Sequence, residues 1–424
     1  MKKYLESLPE QIKEIIRISS EISAKNGVHA YLVGGFVRDL ILGVPNFDLD
    51  IVVEEDGIKF AEELALCLCA KLIRHKRFGT ATIILKHHFK IDITTARKEH
   101  YPHPASLPVV SAGSLSDDLF RRDFTINALA IKISKDEFGR FVDLFDGRKD
   151  LANKKIRILH DLSFIDDPTR ILRAIRFKER YSFSFEKNTG MLLKESAKKK
   201  MLEKVEPQRL RDEIILMLKE REPSKHMRSL ERNAGLGFIN SRLKLSKGIL
   251  SSFVSLKKEL AWFNLKFPHH RQIDAWLVYL TILTEKLPLA EMKSLLKKFV
   301  FRKGEEKRIL VYRDIKNKVA RALSLKSICP SKAYHLLEPL SYEAILLIRA
   351  KSRNKLLRKH IEDFFGIYNG TRIHVNGDDL RSLGIKPGPL YQKVFRKVLD
   401  AKLDGKVSNH AQEMELVKSL IVTN

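Results

Sequence analysis

The sequence is short of cysteine, of acid and of long apolar runs, and each shortage closes off a class of protein. Three cysteines in 424 residues, Cys67, Cys69 and Cys329, make no disulfide framework. Cys67 and Cys69 fall in EELALCLCAKL, which reads as a helix. Neighbours two apart do not share a helix face, so a metal pair there is not expected. The expected setting is a reducing cytoplasm. No run of about 18 apolar residues occurs, so no membrane span is expected. The N-terminal MKKYLESLPEQIKEII is charged and amphipathic and lacks the apolar centre of a signal peptide. Walker A and GxGxxG patterns are both missing, so the P-loop and dinucleotide readings fall away. The acid shortage is the largest. Lys plus Arg number 79 against 52 Asp plus Glu, a formal net charge of +27. That imbalance implies a polyanionic partner, nucleic acid or an acidic membrane surface.

An ordinary apolar share of 44% predicts a folded, cored protein. The length suits two to four domains. Residues 1–26 read as one or two amphipathic helices, with Ile12, Ile15, Ile16, Ile18 and Ile22 as the apolar positions. The chain to about residue 158 mixes helices with β-rich runs. Strands are expected at Tyr31–Val33, Asp48–Val53, Thr80–Leu85, Phe89–Thr94 and Ala128–Ile133. Beyond about residue 160 the strand signals thin out. Helical periodicity dense in Lys and Arg takes over, as in RILRAIRFKERY and QRLRDEIILMLKERE.

The most informative segment is YLVGGFVRDLILGVPNFDLDIVV, Tyr31–Val53. Gly34 and Gly35 follow a short strand and open a helix that holds Arg38 and Asp39. Glycines let backbone N–H groups approach a phosphate closely, and a helix start adds positive potential. Asp48 and Asp50 are two apart, so on a strand they share a face, with Leu49 and Ile51 turned to a core. Adjacent carboxylates repel unless a divalent cation lies between them, and oxygen-only ligands beside a phosphate site suit Mg²⁺. In FKIDITTARKE, Phe89, Ile91 and Ile93 alternate with Lys90, Asp92 and Thr94, which puts Asp92 on a polar strand face. If the two strands are neighbours, three carboxylates converge. Such a set can hold two Mg²⁺ about 4 Å apart for in-line displacement at phosphorus.

Two further runs add recognition chemistry. DDLFRRDFTINALAI supplies Arg121, Arg122, Asp123 and Asn127. Arginine forks bind phosphate, and a carboxylate accepts from ribose hydroxyls. In DDPTRILRAIRFKERY, Asp167 and Arg170 are three apart on an expected helix, with Pro168 in its first turn. The plain reading is an i,i+3 salt bridge. The functional one is a base reader: the carboxylate accepts from an exocyclic amine and the guanidinium donates to a ring acceptor. Cytosine and adenine match that pair, whereas guanine and uracil present a carbonyl where the amine belongs.

The ordered set LVGGFVRDLILG, DLD, DITTARKEHY, DLFRRDFTINALAI, FVDLFDG and DDPTRILRAIRF resembles the class II CCA-adding enzymes and poly(A) polymerases, over about residues 28–180. The resemblance implies an α+β chain. A nucleotidyltransferase head with an antiparallel sheet (1–158) would precede an all-helical neck (159–222), body (223–320) and tail (321–424). It implies Mg²⁺ on Asp48 and Asp50 with Asp92 beside them, and the triphosphate at Gly34, Gly35 and Arg38. Arg121, Arg122, Asp123 and Asn127 would line the nucleotide site, with Arg173 and Arg176 counted alongside. Asp167 and Arg170 would select C and A. The implied partners are tRNA, gripped by the acceptor arm, together with CTP and ATP and no membrane. Asp-Asp-Pro stands where many relatives carry Glu-Asp and a non-proline, but the Asp167-x-x-Arg170 spacing is kept.

The product stays open at this level: CCA, CC alone, A alone, or poly(A). TTARKEHYPHPASLP is where the difference is expected. A catalytically dead RNA-binding protein is disfavoured by the intact Asp48 and Asp50. A small-molecule nucleotidyltransferase is disfavoured by the +27 charge. His269-His270 reads as a surface or core pair, and Lys198–Lys200 as a solvated helix face that could also follow an RNA backbone.

Overall fold

A computed structural model describes residues 2–46, 48–85 and 89–422. The chain divides into two compact units, Met1–Met217 with Arg228–Phe238, and Leu218–Met227 with Ile239–Asn424.

In the first unit, helix α1 (Lys2–Glu6) precedes α2 (Glu10–Asn26). α2 buries Ile12, Ile15, Ile16 and Ile22 and stops at Gly27, whose φ of 64° suits a residue without Cβ. Strand β1 (Ala30–Val33) leads into α3 (Gly35–Leu42), then β2 (Leu49–Val53) and α4 (Gly57–Cys67). The expected helix around the cysteines ends at Cys67. Cys69 lies beyond it with a φ of 47°, and both thiols are exposed. The chain continues through β3 (Lys71–His75), β4 (Thr80–Ile84), β5 (Lys90–Thr95), β6 (Arg97–His100) and β7 (Val109–Ala112). Helix α5 (Leu115–Phe120) begins in a capping box between Ser114 and Asp117. It is followed by β8 (Leu129–Lys132), β9 (Phe141–Asp143) and α6 (Gly147–Ala152).

Seven strands form one sheet in the order β3-β4-β5-β2-β1-β8-β9. Every pairing is antiparallel except β2 with β5, which run parallel because α4 and the β3–β4 hairpin intervene. All four residues of β1 are buried, as befits a central strand covered on both faces. The five expected strands are present within a residue or two at their ends. β3 was not expected: KLIRH is an exposed edge strand with no apolar alternation. Nor were β6 and β7, a separate polar hairpin, or the three-residue β9.

The helical part of this unit holds α7 (Ser163–Asp166), α8 (Thr169–Tyr181), α9 (Lys187–Lys198) and the start of α10 (Pro207–Lys219), after which α11 (Pro223–Ala234) follows. A short parallel pair, Lys155–Ile156 with Ser184–Phe185, brackets α8. Lys198, Lys199 and Lys200 are exposed at the end of α9, with Lys199 paired to Glu195.

The second unit is helical among its described residues: α12 (Lys247–Lys266), α13 (Ala275–Thr284), α14 (Leu289–Lys298), α15 (Lys303–Leu323), α16 (Pro330–Leu337), α17 (Tyr342–Lys351), α18 (Lys355–Gly366), α19 (Gly377–Ser382), α20 (Pro389–Leu403) and α21 (His410–Val422). α13 is apolar all round and buried from Trp276 to Thr284, as a central helix must be. His270 is half-buried. One ring nitrogen meets the Tyr342 hydroxyl and the other the Phe365 carbonyl, each at 3.1 Å. Among the described residues no helix is long and apolar enough to cross a membrane.

Candidate active site

The β1–α3 turn is the origin of the site. Gly34 caps α3 with a φ of 69°. A Cβ there would lie 2.6 Å from Arg122 Nη1 and 3.5 Å from Asp50 Oδ2. Only glycine lets the turn, the arginine and the carboxylate meet. On β2, Leu49 and Ile51 are buried in the core, so Asp50 and, just before the strand, Asp48 face the opening. Among the described residues neither carboxylate takes a hydrogen bond or an ion pair. Burial pushes Asp50 up to about 6. Arg122 pulls the other way, and repulsion from Asp92 and Asp48 adds to the rise.

Asp92 faces Asp50 in strand register, as the alternation on β5 predicts. Its Oδ1 accepts from Thr82 Oγ1 at 2.6 Å, across the β4–β5 pairing. Asp92 is not among the residues that line the cleft, whereas Asp48 and Asp50 are. Among the described residues no three carboxylate, histidine or cysteine side chains gather into a ready metal cage. The donor set that fits a hard cation is therefore the Asp48–Asp50 pair, all oxygen and charged, with Asp92 next to it.

The cleft holds about 890 Å³. It is lined by Gly35, Arg38, Asp48, Asp50, Arg121, Arg122, Asp123, Asn127, Asp167, Arg170, Arg173 and Arg176, so most of the sequence-derived candidates converge; Gly34 and Asp92 stand just outside. Their internal contacts differ from the expectations in three places. Arg38 was expected to present its fork to a triphosphate. Instead Nε and Nη2 donate to Asp39 at 2.8 Å each, and Nη1 donates to Asn127 Oδ1 at 2.5 Å. Its guanidinium also lies 5.3 Å and 4.8 Å from the Phe177 and Tyr181 ring centres. This arginine builds the wall. Asp123 was expected to meet ribose. Its Oδ1 accepts from the Phe124 N–H and from Asn127, and its Oδ2 from Arg173 at 2.8 Å. Burial opposes its charge, but Arg173 and Asn127 hold its pKa below the usual range.

The third difference concerns Asp167 and Arg170. They were expected to share a helix face, with an i,i+3 ion pair as the plain alternative to reading a base. Asp167 has extended backbone just before α8, and the two do not pair. Asp167 Oδ1 accepts from the Thr169 N–H, from Thr169 Oγ1 and from Arg209 Nη2, the last at 2.9 Å. Its Oδ2 carries none of these bonds. Arg170 is buried, with Nη1 donating to Ser163 Oγ and Nη2 to the Arg121 carbonyl, both at 2.7 Å. Each side chain is clamped from behind, and both line the cleft.

Several structural partners escaped sequence reading. Asp118, fully buried, takes Arg121 on Oδ1 and Arg122 on Oδ2. The i,i+3 and i,i+4 spacing within DDLFRRD was the available signal. Glu99 accepts from Arg97, Arg121 and the Tyr101 hydroxyl. Arg209 and Glu213 of α10 brace α8 through Asp167, Arg173 and Arg176. Nothing local in the sequence marks those long-range pairs.

Comparison with known proteins gives the family of the chain. The model of the Poly A polymerase head domain matches residues 30–157. The A-adding tRNA nucleotidyltransferase of Geobacter sulfurreducens is 36% identical over 97% of this chain, which spans only 47% of that relative's length. Its counterpart in Halalkalibacterium halodurans is 31% identical, over 96% of this chain and 92% of its own. A solved CCA-adding enzyme, in its apo form II, matches with a TM-score of 0.78 at 32% identity, covering 100% of this chain and 98% of that one.

Proposed function

Since the chain belongs to the family of tRNA nucleotidyltransferases that carry a Poly A polymerase head, we propose that it adds nucleotides to the 3′ end of tRNA without a template. One observation carries the reading. A single cleft brings together the Asp48 and Asp50 carboxylates, unpartnered among the described residues, and the Asp167 carboxylate. The first pair suits transfer at phosphorus, and the second suits a base that bears an amine.

Asp48 and Asp50 would hold the divalent cation, for which Mg²⁺ is the proposal. When bound, such ions activate the attacking hydroxyl and brace the leaving pyrophosphate. The remaining tasks fall to the chain itself. The start of α3 and Arg122, whose Nε is buried without a partner among the described residues, supply donors for the triphosphate. Asp167 Oδ2 accepts from the N4 amine of cytosine or the N6 amine of adenine. The remaining Arg170 N–H groups donate to the ring acceptor beside it. Ser163, Arg121 and Arg209 fix both side chains in place, so selection needs no base pairing. The helical segments after residue 158, read as neck, body and tail, would hold the acceptor arm by phosphate and shape contacts.

Addition of the terminal A from ATP is the product favoured here, because the two relatives quoted above carry that name. Full CCA addition is the second reading, favoured by the likeness to the CCA-adding structure. The test incubates the protein with tRNA lacking its last one, two or three nucleotides, with ATP, CTP or both. A-only activity extends just the tRNA lacking one nucleotide. CCA activity extends all three. Absence of incorporation on every substrate overturns the proposed function. Asp48→Ala with Asp50→Ala is expected to abolish incorporation, and survival of activity overturns the assignment of that pair.

A further inference from the structure

A second groove, of about 680 Å³, adjoins the cleft. The two share one wall: Glu99, Tyr101, Arg121 and Arg170 line both. The floor of the groove is apolar and open. Phe120 is 46% exposed and Leu162 61% exposed. The His160 ring lies 5.4 Å from that of Phe120 at an interplanar angle of 34°. Phe145, 5.9 Å away, supports Phe120 from the protein side. A solvent-facing aromatic platform beside a nucleotide cleft fits a flat ring system with a polar edge, the chemistry of a nucleobase.

The charges choose between the two nucleotides the reaction needs. Asp117, Asp161, Asp166 and Glu99 line the groove against Lys98, Arg121 and Arg170; Lys98 is already 3.5 Å from Asp117, and Arg121 is bonded to Asp118 and Glu99. That near balance of charge offers a triphosphate little attraction. Arg122 and the α3 start, which suit one, lie on the cleft side of the shared wall. A nucleoside within a strand brings a single charge per phosphate and depends less on such attraction.

We propose that this groove seats the terminal nucleoside of the RNA strand being extended, its base stacked on Phe120 and His160. The proposal rests on the transfer reaction set out above. A strand end seated there lies against the Glu99, Tyr101, Arg121 and Arg170 wall of the cleft that Asp48 and Asp50 also line. The groove thereby positions the attacking hydroxyl, while Asp167 and Arg170 handle the incoming base.

The experiment uses the full chain and an acceptor-stem RNA ending in 2-aminopurine, whose fluorescence falls when it stacks. Wild type is expected to quench the probe. Phe120→Leu keeps apolar contact with Phe145 but removes the π face. It should lose the quench and raise the RNA KM about 5- to 100-fold, the size of one lost stack. The ATP KM should stay within about twofold, since a stack on the strand side leaves the triphosphate donors untouched. Leu162→Ser, at a largely exposed position with little role in folding, should shift the RNA KM in the same direction. An unchanged RNA KM in both variants, or an equal rise in ATP KM, overturns the groove while the transfer reaction stands. A wild type that quenches through Phe120 yet incorporates nothing supports the groove and overturns the reaction instead.

Discussion

Arg121 and Arg122 are neighbours in the chain and share one carboxylate, but they have different surroundings. Arg121 is held by Asp118 and Glu99, and its carbonyl receives Arg170. Arg122 keeps one bond to Asp118 and comes within reach of Gly34 and Asp50. The contact with Gly34 makes a sharp prediction. Gly34→Ala would set a Cβ 2.6 Å from Arg122 Nη1 at a φ of 69°. The backbone term costs about 1–3 kcal/mol. Such a loss lowers the melting temperature by only a few degrees in a unit of this size. We expect turnover to fall far more, by at least about tenfold, because a shift of about 1 Å in a positioned group can cost about a hundredfold. Thermal melts and single-turnover incorporation check this together. Activity that falls only as far as the unfolded fraction rises would show that the glycine serves folding alone.

At the scale of elements, the last stretch of the chain is fastened by one buried acid. Glu413 on α21 is fully buried. It accepts from the N–H groups of His374 and Val375 at 2.6 and 2.9 Å and from Lys402 Nζ of α20 at 2.7 Å. The 374–375 stretch, α20 and α21 therefore meet on one carboxylate, beside the cluster of Val375, Leu380, Ile385, Val394, Val398 and Val417. Glu413→Ala strands two amides and an ammonium, so a loss of about 3 kcal/mol is expected. Hydrogen exchange should quicken at His374 and Val375 and along α21. Unchanged exchange there would show that the apolar cluster alone holds the segment. No reading of the sequence singled out Glu413, and the reason is general. β1, β2, β4, β5 and β8 were legible because their alternation or apolar run is local. So was the facing of Asp50 and Asp92, once the strands were neighbours. Bonds such as Glu413 to His374, Asp167 to Arg209 and Thr82 to Asp92 depend on which elements come together, and no local period encodes that. β3 and the β6–β7 hairpin were missed for a related reason. They are exposed edges, and their residues answer to solvent and to partners rather than to a core.

Over the whole molecule, many buried carboxylates are held ionised by the surplus of Lys and Arg. Asp118, Asp123, Glu285, Glu343 and Glu413 all have pKa values below their ordinary range despite burial. Glu343 is the clearest. Burial works against its charge. Both oxygens nevertheless meet Arg271, at 2.9 and 2.7 Å, and the Asp274 N–H adds a third donor, so its pKa falls to about 2. A carboxylate with a lowered folded pKa contributes stability above its unfolded value, 4.5 here, and loses it as pH falls toward 2. Glu343 itself is 4% exposed, but Arg271 is about half exposed, so solvent trims its share to about 2 kcal/mol. The formal charge of +27 works in the same direction: each protonated acid makes the molecule more positive and adds repulsion. Stability should therefore fall steeply between about pH 4.5 and 3, where these groups begin to titrate. Glu343→Gln should cost about 2 kcal/mol near pH 7 and show a shallower fall below pH 4.5, since the variant has one fewer group to protonate. Denaturant melts of both proteins from pH 7 to 3 decide it. Parallel curves offset by a constant amount would mean that Glu343 acts through shape and hydrogen bonding, and that its charge contributes nothing.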